Sequence, residues 1–151
     1  MKPFLLAALL LPLTLSTLPA ETPAPPAPAA APAAAVQHVD APGAAKVLEK
    51  AALNPEKPIS VIDVRTPEEF ASGHLKGAQN VDIASASFQK DLAKLDPAKT
   101  YLVHCAAGGR STRALGILNK LGFKSVIHLD GGLNSWKKAG LPLEKSAPAP
   151  K

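Results

Sequence analysis

Residues 101–113 read Tyr101-Leu-Val-His-Cys105-Ala-Ala-Gly-Gly-Arg110-Ser-Thr-Arg113. A short apolar run of β type ends in the only cysteine of the chain, a glycine pair follows, and an arginine stands five residues beyond the cysteine. The run from Thr100 to His104 predicts a buried strand, and the stretch from Arg110 to Leu121, closed by Gly122, predicts a helix. A strand that turns through glycines straight into a helix is the unit from which parallel α/β sheets are built.

The same alternation extends to both sides. Upstream, Val36 to Val39 reads as a short strand. Asp40 reads as a helix cap, with Pro42 in the first turn and Ala44 to Leu53 as the helix body, stopped by Asn54-Pro55. Ile59 to Val64 is a strongly β-type run. Thr66-Pro-Glu-Glu69 has capping-box spacing with proline at the first helical position. Asn80 to Ile83 reads as a second β piece, Phe88 to Leu95 as a helix and Asp96-Pro97 as a turn. Downstream, Ser125 to Leu129 is a strand, Gly131-Gly132 a tight turn, and Leu133 to Ala139 a last helix before Gly140. Strands alternating with helices predict a parallel sheet covered on both faces.

The ends differ in composition from this body. Lys2 precedes an apolar run from Phe4 to Leu18, followed by small residues near Ala20, which predicts a secretory signal peptide over residues 1–20. The run is interrupted by Pro12 and falls short of the roughly 20 apolar residues needed to span a bilayer, so no membrane insertion is expected after cleavage. Residues 21–35 are almost entirely proline and alanine and predict a semi-rigid linker. Residues 146–151 repeat that composition and are expected as a disordered tail. Residues 36–145 are left as one domain, large enough to bury over ~60% of its unfolded surface without staples. The expected location is a bacterial periplasm.

The formal charge of +5 comes from scattered lysines rather than a cluster, and only four Phe, one Tyr and one Trp are available to stack on bases. No nucleic-acid partner is therefore expected. A mildly basic surface does attract small anions.

In an exported chain a lone cysteine has no internal disulfide partner, so Cys105 is either an inert buried thiol or a reactive one. Its neighbourhood favours reactivity. The carboxyl end of a sheet strand is where ligands bind in open α/β folds. A glycine loop feeding a helix amino terminus aims several backbone N–H groups at one point. That field, with Arg110 beside it, favours thiolate over thiol. Candidate site residues are Cys105 as nucleophile, and Ala106, Ala107, Gly108, Gly109, Arg110 and Ser111 as the anion-binding loop. Arg110 can either hold the loop by bonding its carbonyls or draw anions toward the sulfur. Asp63 and Arg65, at the end of a neighbouring strand, are possible supporting residues, although charges there more often pair structurally than touch substrate. His74 reads as a hydrogen-bonded buttress and Trp136 as packing, and alternation turns His104 away from Cys105. The scattered histidines and single cysteine suggest no metal cluster.

Three of these segments resemble the signatures of rhodanese-like domains. Ile62-Asp-Val-Arg-Thr-Pro-Glu-Glu-Phe70, continuing to Asn80, is similar to the family's amino-terminal motif. His128-Leu-Asp-Gly-Gly-Leu-Asn-Ser-Trp136, followed by Gly140-Leu-Pro142, is similar to the carboxyl-terminal motif. Cys105-Ala-Ala-Gly-Gly-Arg110 matches the Cys-x-x-Gly-x-Arg active-site loop. The resemblance implies a rhodanese-like α/β fold, a five-stranded parallel sheet flanked by helices on both faces. It also implies transfer of sulfane sulfur from thiosulfate or a related donor to cyanide or a thiol, through a Cys105 persulfide. On that reading the partners are a small anionic sulfur donor and a thiophilic acceptor, with no cofactor beyond the persulfide and no protein partner named by the sequence. Some thiosulfate-preferring members carry basic residues within the loop, where this chain has only Ala106, Ala107, Gly108 and Gly109 before Arg110. Two alternatives stand beside this reading. One is a non-catalytic sulfur-carrier or interaction module. The other is a cysteine-based phosphatase or arsenate reductase, whose His-Cys-x5-Arg loop is one residue longer than the interval found here.

Overall fold

A computed structural model describes residues 34–145. The expected signal peptide, all but the last two residues of the linker, and the tail lie outside the described residues. The chain runs β1 (Ala35–Val39), α1 (Ala41–Ala52), β2 (Ile59–Asp63), α2 (Pro67–Ser72), β3 (Ala78–Asn80), α3 (Phe88–Leu92), β4 (Thr100–His104), α4 (Gly109–Lys120), β5 (Ser125–Leu129) and α5 (Gly132–Lys138). Every strand pairing is parallel, and the sheet order is β1-β5-β4-β2-β3.

Local chemistry accounts for the helix starts. The Asp40 carboxylate accepts from the Gly43 amide at 2.9 Å, so α1 begins at Ala41, three residues before the expected body. Thr66 and Glu69 close a reciprocal capping box, each accepting the other's backbone N–H at 3.4 Å, with Pro67 in the first turn of α2. β3 departs from the expected Asn80–Ile83. Its ladder with β2 is set by Val61 opposite Ala78 and ends at Asp63 opposite Asn80. Val81 still reaches β2 through a single bond to the Asp63 carbonyl, and Ile83 bonds the carbonyl of Val64 just beyond it.

Alternation along the strands divides the core into two layers. On one face Ile62, Val64, Tyr101, Val103 and Val126 pack with Phe88 and Leu92 of α3 and Ala114 and Leu118 of α4. On the other, Val61, Leu102, Ile127 and Leu129 pack with Ala41 and Ala44 of α1 and Leu133 and Trp136 of α5. Helices therefore cover both faces, as the sequence led one to expect. Cys105 belongs to the first layer and is only 2% exposed. From β2 the chain proceeds outward to β3, and from β4 it proceeds the opposite way to β5. The order thus reverses between β2 and β4, and in open α/β sheets ligands bind beyond the carboxyl ends of the strands at such a point.

Candidate functional site

Cys105 is the first residue after β4, at that switch point. Its sulfur is the acceptor of the Gly108 amide at 3.1 Å and lies 3.5 Å from the Ser111 hydroxyl. Burial alone would raise the thiol's proton affinity. Hydrogen bonds from the Ser111 hydroxyl and amide, and from the Gly108 and Ala107 amides, outweigh it and hold Cys105 below an ordinary thiol. The sulfur is therefore built to carry negative charge.

Two glycines make the loop possible. Gly108 adopts φ +104 and caps α4, which starts at Gly109 rather than Arg110. Gly132 sits directly beneath the loop at φ +55. A side chain there would strike the Cys105 carbonyl oxygen and come within 2.8 Å of the carbonyl carbon and oxygen of Ala106. Its absence lets the first amides of α5 tie down the loop. Leu133 donates to the Cys105 carbonyl at 2.8 Å and Asn134 to that of Ala106 at 2.9 Å. Sequence reading marked Gly131-Gly132 as a turn and missed this seat.

Arg110 neither bonds loop carbonyls nor stands free. Its two terminal nitrogens donate to the two carboxylate oxygens of Glu69 at 2.6 and 2.8 Å. The pair joins the first turn of α4 to α2. Arg110 holds the Glu69 carboxyl down at about 2. In return Glu69, and behind it the Cys105 sulfur, raises the proton affinity of Arg110. Glu69 is thus a member of the site that the sequence showed only as a capping-box residue.

Asp63 and Arg65 are not brought into the loop. Asp63 shares the side of β2 that carries Val61, the face opposite Cys105. Its carboxylate receives the Arg65 guanidinium at 2.6–3.0 Å, and Arg65 also donates to the Gly73 carbonyl at 2.8 Å. Both side chains are almost completely buried. The pairing reading accounts for them. His104 points to the same face, away from Cys105, with Nε2 3.7 Å from Asp63; burial lowers its proton affinity and keeps the ring neutral. His74 bonds the Phe70 carbonyl at 3.0 Å and stacks on the Phe70 ring, so it is the buttress expected. Trp136 packs in the second layer and donates to the Pro142 carbonyl.

Behind Ser111 lies a polar chain that the sequence did not reveal. The Ser111 hydroxyl is 2.8 Å from His128 Nε2, and His128 Nδ1 is 2.9 Å from Asp130. His38 reaches the same Asp130 oxygen at 2.9 Å. A mainly apolar groove of about 460 Å³ between α1, β2 and Trp136 contains none of the loop residues and plays no part in this chemistry.

A family model described as a rhodanese-like domain matches residues 44–139, more than half of the chain. The thiosulfate sulfurtransferase GlpE of Vibrio cholerae is 31% identical over 109 residues, covering 72% of this chain and 95% of that one. The "Probable adenylyltransferase/sulfurtransferase MoeZ" of Mycobacterium tuberculosis is 36% identical over 90 residues, which span 60% of this chain but only 23% of that protein. Among solved structures, a rhodanese-related protein from Thermoplasma volcanium superposes with a TM-score of 0.61 at 28% identity, covering 73% of this chain and 99% of that one. With a cysteine loop, sheet order and helix layers of this kind, and sulfurtransferases among its relatives, the chain belongs to the rhodanese-like domain family.

Proposed function

We propose that the protein transfers sulfane sulfur through a persulfide on Cys105. The observation that carries this is the Cys105 sulfur held 3.1 Å from the Gly108 amide, within a ring of donors that favour its anion. The Cys105 thiolate attacks the outer sulfur of a donor such as thiosulfate. A new S–S bond forms, the donor's own S–S bond breaks, and sulfite leaves with its electron pair. The negative charge now lies on the terminal persulfide sulfur, which the loop amides stabilise as an oxyanion hole would. A nucleophilic acceptor, cyanide or a thiolate, then takes that sulfur and restores the Cys105 thiolate. No proton is needed in either step, and no cofactor enters the scheme.

The cradle is suited to one sulfur atom rather than a tetrahedral phosphate, because four residues separate Cys105 from Arg110 where the phosphatase loop has five. The intact mass of reduced protein after exposure to thiosulfate tests the reading. A gain of one sulfur atom, removed by cyanide, is the expected result. No adduct with thiosulfate, together with hydrolysis of an aryl phosphate, would refute it. An adduct that forms but never passes to an acceptor would make the domain a carrier. The apolar run before Ala20 further supports export to the periplasm, with the mature chain beginning near Glu21. Terminal sequencing from a fractionated host checks this, and full-length protein in the cytosol would overturn it.

A further inference from the structure

Parallel pairing of β1 with β5 sets His38 directly opposite His128, and Asp130 follows two residues later. His38 Nδ1 and His128 Nδ1 are each 2.9 Å from Asp130 Oδ1 and 3.3 Å from one another. Three donor atoms of metal-ligating types thus form a small triangle. A tetrahedral zinc ion with bonds of about 2.0–2.1 Å holds its ligand atoms roughly 3.3–3.4 Å apart, so the nitrogen pair already has that spacing and the carboxylate oxygen needs to move out by about half an ångström. Two imidazoles and one carboxylate, with a further position open, are a donor set that zinc and its neighbours accept.

The surroundings fit the same purpose. The side chains of His38 and Asp130 are 56% and 52% exposed, leaving a way in from solvent and room for a water ligand. His128 is buried, and its other ring nitrogen is 2.8 Å from the Ser111 hydroxyl, the kind of outer partner that orients a ligating histidine.

We propose that His38 Nδ1, His128 Nδ1 and Asp130 Oδ1 bind a divalent transition-metal ion of the zinc class, and that His128 links this site through Ser111 to Cys105. Without metal, each histidine spends its Nδ1 proton on Asp130, and the single Ser111 proton is shared among His128 Nε2 and the Gly108 carbonyl, both at 2.8 Å, and the Cys105 sulfur at 3.5 Å. With metal on Nδ1, the His128 proton sits on Nε2 and is donated to the Ser111 oxygen. The Ser111 proton is then free to turn. Its remaining acceptors are the Gly108 carbonyl at 2.8 Å, whose two lone pairs already accept from the Thr112 amide at 2.9 Å and hydroxyl at 3.0 Å, and the Cys105 sulfur at 3.5 Å, so the sulfur gains a larger share of that proton. Metal occupancy therefore strengthens a donor to the nucleophile. The binding half of this proposal is independent of sulfur transfer; the link to Cys105 rests on that reading.

Metal-stripped full-length protein is titrated with cobalt(II) alone, followed by its ligand-field absorption, and the ion is then displaced with zinc. One equivalent is expected in a low-symmetry, strongly absorbing site. His38→Ala and Asp130→Asn, both on the rim, should weaken binding at least about tenfold, the size of effect seen when metal-site partners are removed. Cys105→Ser should bind as the native chain does. Absence of binding at micromolar metal, loss of binding in Cys105→Ser, or full retention in His38→Ala would overturn the site. The link is read from the rate at which iodoacetamide alkylates Cys105 at fixed pH. Zinc should raise that rate in the native chain and leave it unchanged in Ser111→Ala. An equal response in the two proteins would refute the link while the cobalt data still judge the site.

Discussion

Replacing Gly132 by alanine tests whether the seat beneath the loop positions the nucleophile. Gly132 and Gly140 share nearly the same left-handed backbone, with φ +55 and +69. They differ in surroundings. A Cβ on Gly140 meets nothing within 4 Å, whereas one on Gly132 would strike the Cys105 carbonyl oxygen and lie 2.8 Å from the Ala106 carbonyl. Gly140→Ala should therefore cost only the left-handed conformation, about 1–2 kcal/mol. Gly132→Ala should add an overpacking cost of about 1–3 kcal/mol, because backbone atoms have no rotamer by which to yield. The loop must rise, stretching the Leu133 and Asn134 amides from the carbonyls they hold at 2.8 and 2.9 Å. A displacement near 1 Å at the nucleophile lowers the transfer rate about a hundredfold. Urea denaturation gives the stability of each variant, and thiosulfate-to-cyanide transfer gives its rate. Gly140→Ala should be destabilised but turn over normally; Gly132→Ala should be worse in stability and nearly inactive. Equal turnover by the two would show that α5 does not position Cys105.

Cys105→Ser should abolish transfer and leave the circular dichroism unchanged, since the swap preserves shape and removes the nucleophile; wild-type transfer would refute the covalent route. Ser111→Ala removes one donor from the Cys105 sulfur, so the pH at which alkylation reaches half its maximum should rise toward that of an ordinary thiol. An unmoved midpoint would mean the backbone amides alone set the thiolate. Glu69→Gln should cost about 1 kcal/mol or less near neutrality, because the Arg110 pair is partly solvated. The folded carboxyl at about 2 lies below its usual 4.5, so its contribution is present above 4.5 and disappears as pH falls through about 2. The difference between native and Glu69→Gln stability, followed by denaturation from neutral pH to strong acid, should close over that window; a constant difference would place the effect elsewhere.

Much of the site was legible in the chain because its signals are local. The β-type run of Thr100–His104, the glycines after Cys105 and the caps at Asp40 and Thr66 act within a few residues, and each appears where those residues place it. The boundary of β3 was less legible, since register with β2 rather than side-chain pattern determines where its ladder ends.

The sequence by itself determined the alternating α/β plan, the parallel sheet and the place of Cys105 at a strand end, because strand and helix periods and turn chemistry are short-range properties. Tertiary structure alone decided the company Cys105 keeps. Glu69 meets Arg110 from 41 positions away, and His38 meets His128 from 90, because β1 crosses to the edge beside β5. Gly132 lies under the loop because α5 packs its amino terminus there. Asp63 and Arg65, close in register to the site, fall on the opposite face because alternate residues of a strand point to opposite sides of a sheet. Spacing along the chain carries no information about such crossings; only the assembled sheet sets them.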